Sequence, residues 1–417
     1  MTKLLSRLLT GALCASALAA ALSAQDKPKL QKWQIDPYTD NEPKRIAAAG
    51  YVTYGPMPFG NLHANKATTA DIDKLLEFEK ILWVETKHFR IGQSLPQWQV
   101  PTELKTKNKI REELTEMQKV LPGINPKTRR LDPWLRLHLT AYRMEKLYAE
   151  TMELFGCTDA DFPQDPGNVM ITAGAKYMGY GPYLGMKDKY TVVMFEKLGP
   201  YRQYLKDFIG RDTKFPQRWH FKETGSIMFA VSTECDGGNL KHDTAIHCAL
   251  AFNVGQNLLD GFRSYTYDLP VWIREGWSHW LLRRVDPKWN QFDQQEGGVA
   301  DMKKVTNWAP YVRNLVTASN PKFAPFSEAY AWRDFGNLTF NDHAAIWSRM
   351  DFLMSQGKEK WQKFLFAVKG RVDENWYADQ TDLVGATRDA LRDAYGINVL
   401  DFDRKWSEWV KATYPSK

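Results

Sequence analysis

Residues 269–279 read Leu-Pro-Val-Trp-Ile-Arg-Glu-Gly-Trp-Ser-His and give the most specific signal in this 417-residue chain. Apolar residues recur at helical spacing over 271–284, which predicts a helix. Within it, Glu275 and His279 are four positions apart and therefore share one face, one turn above the other. A carboxylate and an imidazole placed in this way can bind a divalent metal or hydrogen-bond to each other.

The preceding predicted helix, residues 240–259, carries a second acid–histidine pair, Asp243 and His247. Two facing helices that each offer a carboxylate and an imidazole could enclose a metal ion. They could equally form two buried His–carboxylate hydrogen bonds without a metal. On spacing alone the metal-free arrangement is favoured, because acid–histidine pairs four residues apart arise easily.

The pattern outside these helices predicts an α+β fold. Strands are expected over 83–91, 190–195 and 226–232, and a helix over 135–155 that Gly156 ends. Further helices are expected over 341–356, 358–369, 383–394 and 401–413. A strand-rich amino-terminal part therefore precedes a mainly helical carboxyl-terminal part.

The order of these elements resembles the gluzincin (thermolysin-like) zinc peptidases. That family has a strand, a glycine-containing turn, a helix bearing H-E-x-x-H, and a second helix whose Glu is the third ligand, often within Pro-x-Trp-(Leu/Ile)-x-Glu-Gly. Here the strand is Ser226–Ser232, the turn is Gly237-Gly238, and the second helix carries Pro270–Gly276. The separation from His247 to Glu275 (275 − 247 = 28 residues) is within the range that such enzymes tolerate. The resemblance spans roughly residues 80–415 and divides the chain into 1–24, 25–79, 80–185 and a peptidase-like domain at 186–417.

The first helix departs from the family pattern. If His247 is the second histidine of the motif, Asp243 takes the place of the first ligand and Thr244 that of the general-base Glu. The resemblance then implies a metal set of Asp243, His247 and Glu275, at which zinc could bind or which could be without metal. A register anchored on His242 would instead place Ile246 at the second histidine. The first register is preferred, because His247 leads into the apolar run that packs the helix.

The same resemblance implies a weakened or absent peptidase activity. Thr244 cannot act as a base near neutral pH, and loss of a general base typically costs about 10²–10⁴-fold in rate. His279 could substitute as the base, and His343 is near the position that stabilises the oxyanion in this family. Packing among aromatic side chains is the alternative role for His343.

We therefore expect a metallopeptidase-like protein that binds a peptide or another extended polymer without cleaving it. Ser226–Ser232 is the expected edge strand for such a ligand. Five aromatic residues are expected to line the cleft or pack the core: Tyr265, Tyr267, Trp272, Trp277 and Trp280. Alternatives are an active hydrolase with metal at Asp243, His247 and Glu275, a carbohydrate or cell-envelope binding protein, and a metal-free scaffold.

The amino terminus has the pattern of a secretory signal. Lys3 and Arg7 precede an uncharged, Ala-rich stretch over 8–22, and Ala24 offers a cleavage site. This predicts a secreted or periplasmic protein without stable membrane insertion. The formal charge of +7 becomes 7 − 2 = +5 after removal of Lys3 and Arg7. The charges are mixed along the chain, so we expect no nucleic-acid partner. Three cysteines would remain, enough for one disulfide: Cys157, Cys235 and Cys248.

Overall fold

The computed structural model describes residues 30–417 except 61–67, 167–168, 172–173, 293–304 and 337, and it leaves the side chain of Asp236 undescribed. The signal predicted at residues 1–24 is outside the described residues. Strands occur mainly in the first half and helices dominate the second half, which confirms the predicted α+β class.

Five strands form one mixed sheet and two form a separate small ribbon. The strands are β1 (Leu82–Glu85), β2 (Phe89–Gln93), β3 (Trp98–Gln99), β4 (Arg130–Leu131), β5 (Tyr190–Phe195), β6 (Gln217–Phe221) and β7 (Ser226–Ser232). The order in the larger sheet is β1-β2-β5-β7-β6. The pairs β2–β5 and β5–β7 are parallel, whereas β1–β2 and β6–β7 are antiparallel. The sheet thus joins strands from both sides of the predicted boundary at 185/186.

The expected edge strand is an interior strand, so this prediction was wrong. β7 pairs with β5 on one side and with β6 on the other, and all seven of its residues are buried. Its sequence has apolar residues on both faces, which is typical of a strand covered on both faces. The edge beside it is β6, a strand that the sequence pattern did not reveal because polar and aromatic residues alternate weakly there.

The seven helices predicted above are found close to their predicted positions, whereas others, among them the 15-residue Leu104–Gln118, were not predicted. The helices are α1 (Pro43–Ala48), α2 (Thr69–Leu75), α3 (Leu104–Gln118), α4 (Pro133–Phe155), α5 (Leu198–Tyr204), α6 (Cys235–Gly238), α7 (Asp243–Gly261), α8 (Val271–Val285), α9 (Trp308–Thr317), α10 (Phe326–Ala329), α11 (Phe340–Ser355), α12 (Lys358–Val368), α13 (Leu383–Tyr395) and α14 (Val399–Thr413). A π-helical turn, Leu205–Ile209, extends α5, and single 3-10 turns occur at Lys32–Gln34, Asp159–Asp161 and Asn239–Lys241.

Helix α4 illustrates how the local sequence sets the boundaries of an element. Asp132 caps its start by accepting a hydrogen bond from the Leu135 amide, and Pro133 occupies the first helical position. Gly156 ends the helix in the left-handed region with φ of 67°, as the sequence predicted.

Helix α8 is packed between α7 and α11, and this arrangement positions the candidate site. Gly255 of α7 lets the Leu281 side chain approach its backbone, and Gly276 of α8 lies against Ile346 and Met350 of α11. A side chain at either glycine would press on the neighbouring helix. Among the described residues, no helix is both long enough and apolar enough to cross a lipid bilayer.

Candidate metal centre and neighbouring cleft

Three buried side chains from α8 and α11 point at one another. Glu275 Oε2 lies 3.3 Å from His279 Nε2 and 3.2 Å from His343 Nδ1. The two imidazole nitrogens are 3.1 Å apart. The three side chains are almost completely buried, with relative exposures of 2%, 0% and 2%. We call this group the Glu–His–His cluster.

The spacing within the Glu–His–His cluster fits a metal ion. Zinc binds nitrogen and oxygen ligands at about 2.0–2.2 Å in a tetrahedral arrangement, which places neighbouring ligand atoms about 3.3–3.6 Å apart. The observed triangle of 3.1–3.3 Å is only slightly tighter. Apart from these two imidazoles, no hydrogen-bond donor contacts Glu275 Oε2 within the described part of the chain. The cluster could therefore hold a metal ion.

The protonation of the cluster suits metal ligation. Burial alone would raise the pKa of Glu275, but hydrogen bonding and charge interactions with His279 and His343 bring it below its usual value. Burial lowers the pKa of His279 to about 4, against the opposing effect of Glu275. An ionised carboxylate and a neutral imidazole are the forms that bind metals.

Aromatic rings surround His279. Phe252, Phe292 and Trp308 have ring centroids 5.1, 5.2 and 5.0 Å from the imidazole. Its Nδ1 atom has no hydrogen-bond partner among the described residues. Metal-bound histidines usually donate from their second nitrogen to an acceptor. Here aromatic packing orients the ring instead, in a shell with few polar groups.

Asp243 is engaged elsewhere, in a buried ion-pair network. Arg143 of α4 contacts Asp243 Oδ2 through Nη1 at 2.8 Å and Glu113 Oε2 through Nη2 at 2.7 Å. Burial raises the pKa of Asp243. The charges of Arg143 and then Arg136 lower it by a larger amount, so the pKa lies below its usual value. The carboxylate expected to be the first metal ligand is therefore held by a guanidinium.

His247 is also separated from Glu275. It lines a cavity of about 240 Å³ together with Arg143 of α4 and with Leu281 and Arg284 near the end of α8. Glu275 precedes Leu281 by six residues, which is about 9 Å along a helix. Burial, followed by the charges of Arg143, Lys109 and Lys146, brings the pKa of His247 well below its usual value.

The expected set of Asp243, His247 and Glu275 is therefore not assembled. Because the chain reverses between α7 and α8, the start of α7 meets the end of α8, whereas Glu275 is near the start of α8. Among the described residues, Glu275 instead joins His279 and His343, the two residues expected to have catalytic roles. His242, the anchor of the alternative register, caps α7 by accepting a hydrogen bond from the Thr244 amide at 3.2 Å.

A cleft of about 670 Å³ lies beside β6. Arg218 and His220 of the strand line it, with Asp260 of α7 and Arg274 of α8 at its floor. Arg218 Nη1 lies 3.0 Å from Asp260 Oδ2, and Arg274 Nε lies 3.5 Å from the other oxygen of the same carboxylate. The remaining lining residues are Trp219, Lys222, Ile227, Asn257, Tyr265, Asp268, Arg333, Asp334, Phe335 and Gly336.

The aromatic residues expected at the cleft are mostly in the core. Tyr265 lines the cleft, whereas Tyr267, Trp272 and Trp277 are buried. Trp280 is partly buried, with Arg284 over its ring at 4.5 Å. Trp272 and Trp277 lie on α8, which is packed between α7 and α11, so their large side chains fill the core between the helices.

Two further features were not visible in the sequence pattern. Arg143 and Glu113 form the network around Asp243, and the buried spacing of Ile110, Leu114 and Met117 on α3 is the signal that could have placed Glu113 on an inner face. Cys157, Cys235 and Cys248 are buried, and among the described residues they form none of the disulfides that the sequence allows.

Comparison with protein-family models gave no match, and comparison with curated proteins gave none either. The likeness to gluzincins rests on the residues quoted above.

Proposed function

We propose that this protein is an exported, metallopeptidase-like binding protein that holds an extended peptide in the cleft beside β6 without hydrolysing it. The observation that carries this proposal is the buried ion pair between Arg143 and Asp243. Asp243 is at the helix position where a gluzincin has its first metal ligand, and Thr244 is at the position of the general base.

The test compares binding with turnover on the same peptides. We expect a mixture of extended, fluorescently labelled peptides to show increased anisotropy with the mature protein, while internally quenched versions release no fluorescence. Absence of binding to every peptide would refute the proposal. Turnover that chelators abolish and that Glu275→Gln removes would instead support an active hydrolase.

We also propose that the ion held by the Glu–His–His cluster is zinc. Two imidazoles and one carboxylate are ligands that zinc accepts. Elemental analysis after zinc loading should find one equivalent in the wild type, and Glu275→Gln and His343→Asn should lose it. Asp243→Asn and His247→Asn are the matched controls and should retain the metal. Loss of zinc from these two controls, with zinc retained by His343→Asn, would instead support Asp243, His247 and Glu275 as the ligands.

An active hydrolase is the second candidate, and one feature favours it. Three protein ligands leave a fourth position on a tetrahedral zinc for water, as in catalytic zinc sites. The near-complete burial of the cluster argues against this candidate, because a substrate must reach that position.

Export is supported by the charged and apolar pattern of the first 24 residues. Expression of the full chain in a bacterium, followed by amino-terminal sequencing, should yield a protein that begins at Gln25. Recovery of the intact amino terminus in the cytoplasm would contradict export.

A further inference from the structure

The outer edge of β6 is available to a second extended chain. β6 pairs with β7 on its inner side, and within the described part of the chain no strand pairs with its other side. Arg218, Trp219 and His220 are each only partly buried. Backbone groups on an edge strand can add a further strand by hydrogen bonding, which is a common mode of peptide recognition.

The side chains above this edge are mainly cationic. Arg218 and His220 are two residues apart and share the cleft face of the strand, and Lys222 follows at the next such position in the turn. Arg333 faces them from the loop after α10. Lys222 and Arg333 form no ion pair within the portion of the chain that is described. They are therefore available to a ligand.

Two of the acidic side chains in the cleft lie close to arginine side chains of the cleft. Asp260 is shared by Arg218 and Arg274, and Asp268 is 3.6 Å from Arg274. With Asp334 there are three carboxylates, against four lining cations and the buried Lys369, whose Nζ lies 5.7 Å from the Tyr265 ring. The charged side chains that line the cleft therefore carry a net charge of 4 − 3 = +1.

The pKa of His220 is lowered mainly by burial. Burial first, and then the charges of Lys222 and Lys369, lower the pKa of His220 to about 4, against the opposing charges of Asp260 and Glu223. His220 is therefore neutral at physiological pH. The neutral imidazole of His220, between Arg218 and Lys222 on this face, can accept or donate a hydrogen bond without adding charge.

We propose that the occupant of the cleft is an extended acidic peptide that pairs with β6 and presents carboxylates to Lys222 and Arg333. Side chains on one face of a strand recur about every 6.6 Å, so alternate positions of such a peptide would lie on the same face as Arg218, His220 and Lys222. This proposal rests on the proposed peptide-binding function and specifies its ligand.

Three labelled peptides of equal length test the charge preference: alternating Val-Glu, Val-Gln and Val-Lys. We expect the Glu peptide to bind the mature protein at least about tenfold more tightly than the Gln peptide, with stronger binding at low salt. The Lys peptide should not bind measurably. A Glu peptide with N-methylated backbone nitrogens on the pairing edge should lose affinity, because it cannot hydrogen-bond to β6.

The double variant Lys222→Gln/Arg333→Gln tests the residues. It should weaken the Glu peptide about fivefold and leave the Gln peptide within about twofold. The matched control is Lys44→Gln/Arg111→Gln, which removes two exposed cations outside the cleft.

Equal affinity for the Glu and Gln peptides would overturn the acidic preference while leaving peptide binding intact. Failure of all three peptides would instead defeat the proposed function itself. Binding of polygalacturonate that competes with the Glu peptide at equal affinity would also overturn the proposal, because an anionic polysaccharide cannot pair with a strand.

Discussion

Two buried carboxylates of this protein have different partners. Asp243 is paired with a guanidinium at 2.8 Å. Glu275 is approached by imidazoles at 3.2 and 3.3 Å and has no Lys or Arg within ion-pair distance among the described residues. Because an unpaired buried charge is costly, Glu275 is the carboxylate at which a bound cation would stabilise the protein most.

Replacement of Arg143 by Met should destabilise the fold strongly. The substitution leaves Asp243 and Glu113 buried without their cation, and breaking a buried ion pair from one side costs about 3–5 kcal/mol. Urea denaturation at pH 7 would measure the loss of unfolding free energy. Arg111→Met, on the exposed face of α3, is the control and should stay within about 0.5 kcal/mol.

The loss caused by Arg143→Met should depend on pH. Arg143 helps to lower the pKa of Asp243 in the folded state, so the resulting stability is present above the unfolded pKa and is lost as the pH falls through the folded value. The difference between wild type and variant should therefore shrink below about pH 4, where the unfolded Asp becomes protonated. A difference that stays constant with pH would contradict this assignment.

The pKa of His220 should respond to its neighbours. NMR titration of the wild type should give a value of about 4, set first by burial and then by Lys222 and Lys369. Lys222→Gln removes one cation and should raise this pKa, although burial keeps it below the ordinary 6.5. Lys44→Gln should leave the titration unchanged. No response to Lys222→Gln would mean that this lysine does not act on the cleft.

At the scale of elements, the contact between α8 and α11 sets the geometry of the Glu–His–His cluster. Glu275 and His279 are on α8 and His343 is on α11, so the distance between the helices determines whether the three donor atoms converge. Gly276, next to Glu275, would place an added Cβ 3.1 Å from Met350 Cβ and 3.2 Å from the Ile346 carbonyl oxygen. The helices are thus in contact at the cluster.

Gly276→Ala should loosen this contact. Overpacking of a core typically costs about 1–3 kcal/mol, and a shift of a few tenths of an ångström would separate His343 from Glu275. We expect reduced unfolding free energy together with weaker zinc binding by equilibrium dialysis. Gly199→Ala is a matched control, because a Cβ there meets no atom within 4 Å. Unchanged zinc affinity in Gly276→Ala would show that the helix spacing does not control the cluster.

Most of the long helices and the buried strands could be predicted from the sequence, whereas α3 and α9 were missed. The end of α4 at Gly156 and the strand Ser226–Ser232 follow from local chemistry and apolar patterning. The strand expected over 83–91 divides into β1 and β2, because the chain turns at Thr86, whose amide bonds to the Phe89 carbonyl at 2.8 Å. β6 was missed because an edge strand needs no continuous apolar run.

For the whole molecule, a metal in the cluster would join two helices that are distant in sequence. Zinc that binds only the folded state should stabilise it by about 2.7 kcal/mol when free zinc is 100 times its dissociation constant. Calorimetry should then show a melting temperature that rises with zinc and falls with a chelator. His343→Asn should remove this dependence, whereas Asp243→Asn should keep it. If the melting temperature of the wild type did not change with zinc, the proposal that the cluster binds zinc would be refuted.

The sequence by itself determined which residues share a helix face and, through the order of a strand-rich part before a mainly helical part, the α+β class. Only the tertiary structure decided that Glu275 meets His279 and His343, that Asp243 meets Arg143, and that β6 forms the edge. The physical reason is that periodicity records which side of an element is buried, whereas the partner on that side is set by the packing of segments far apart in the chain.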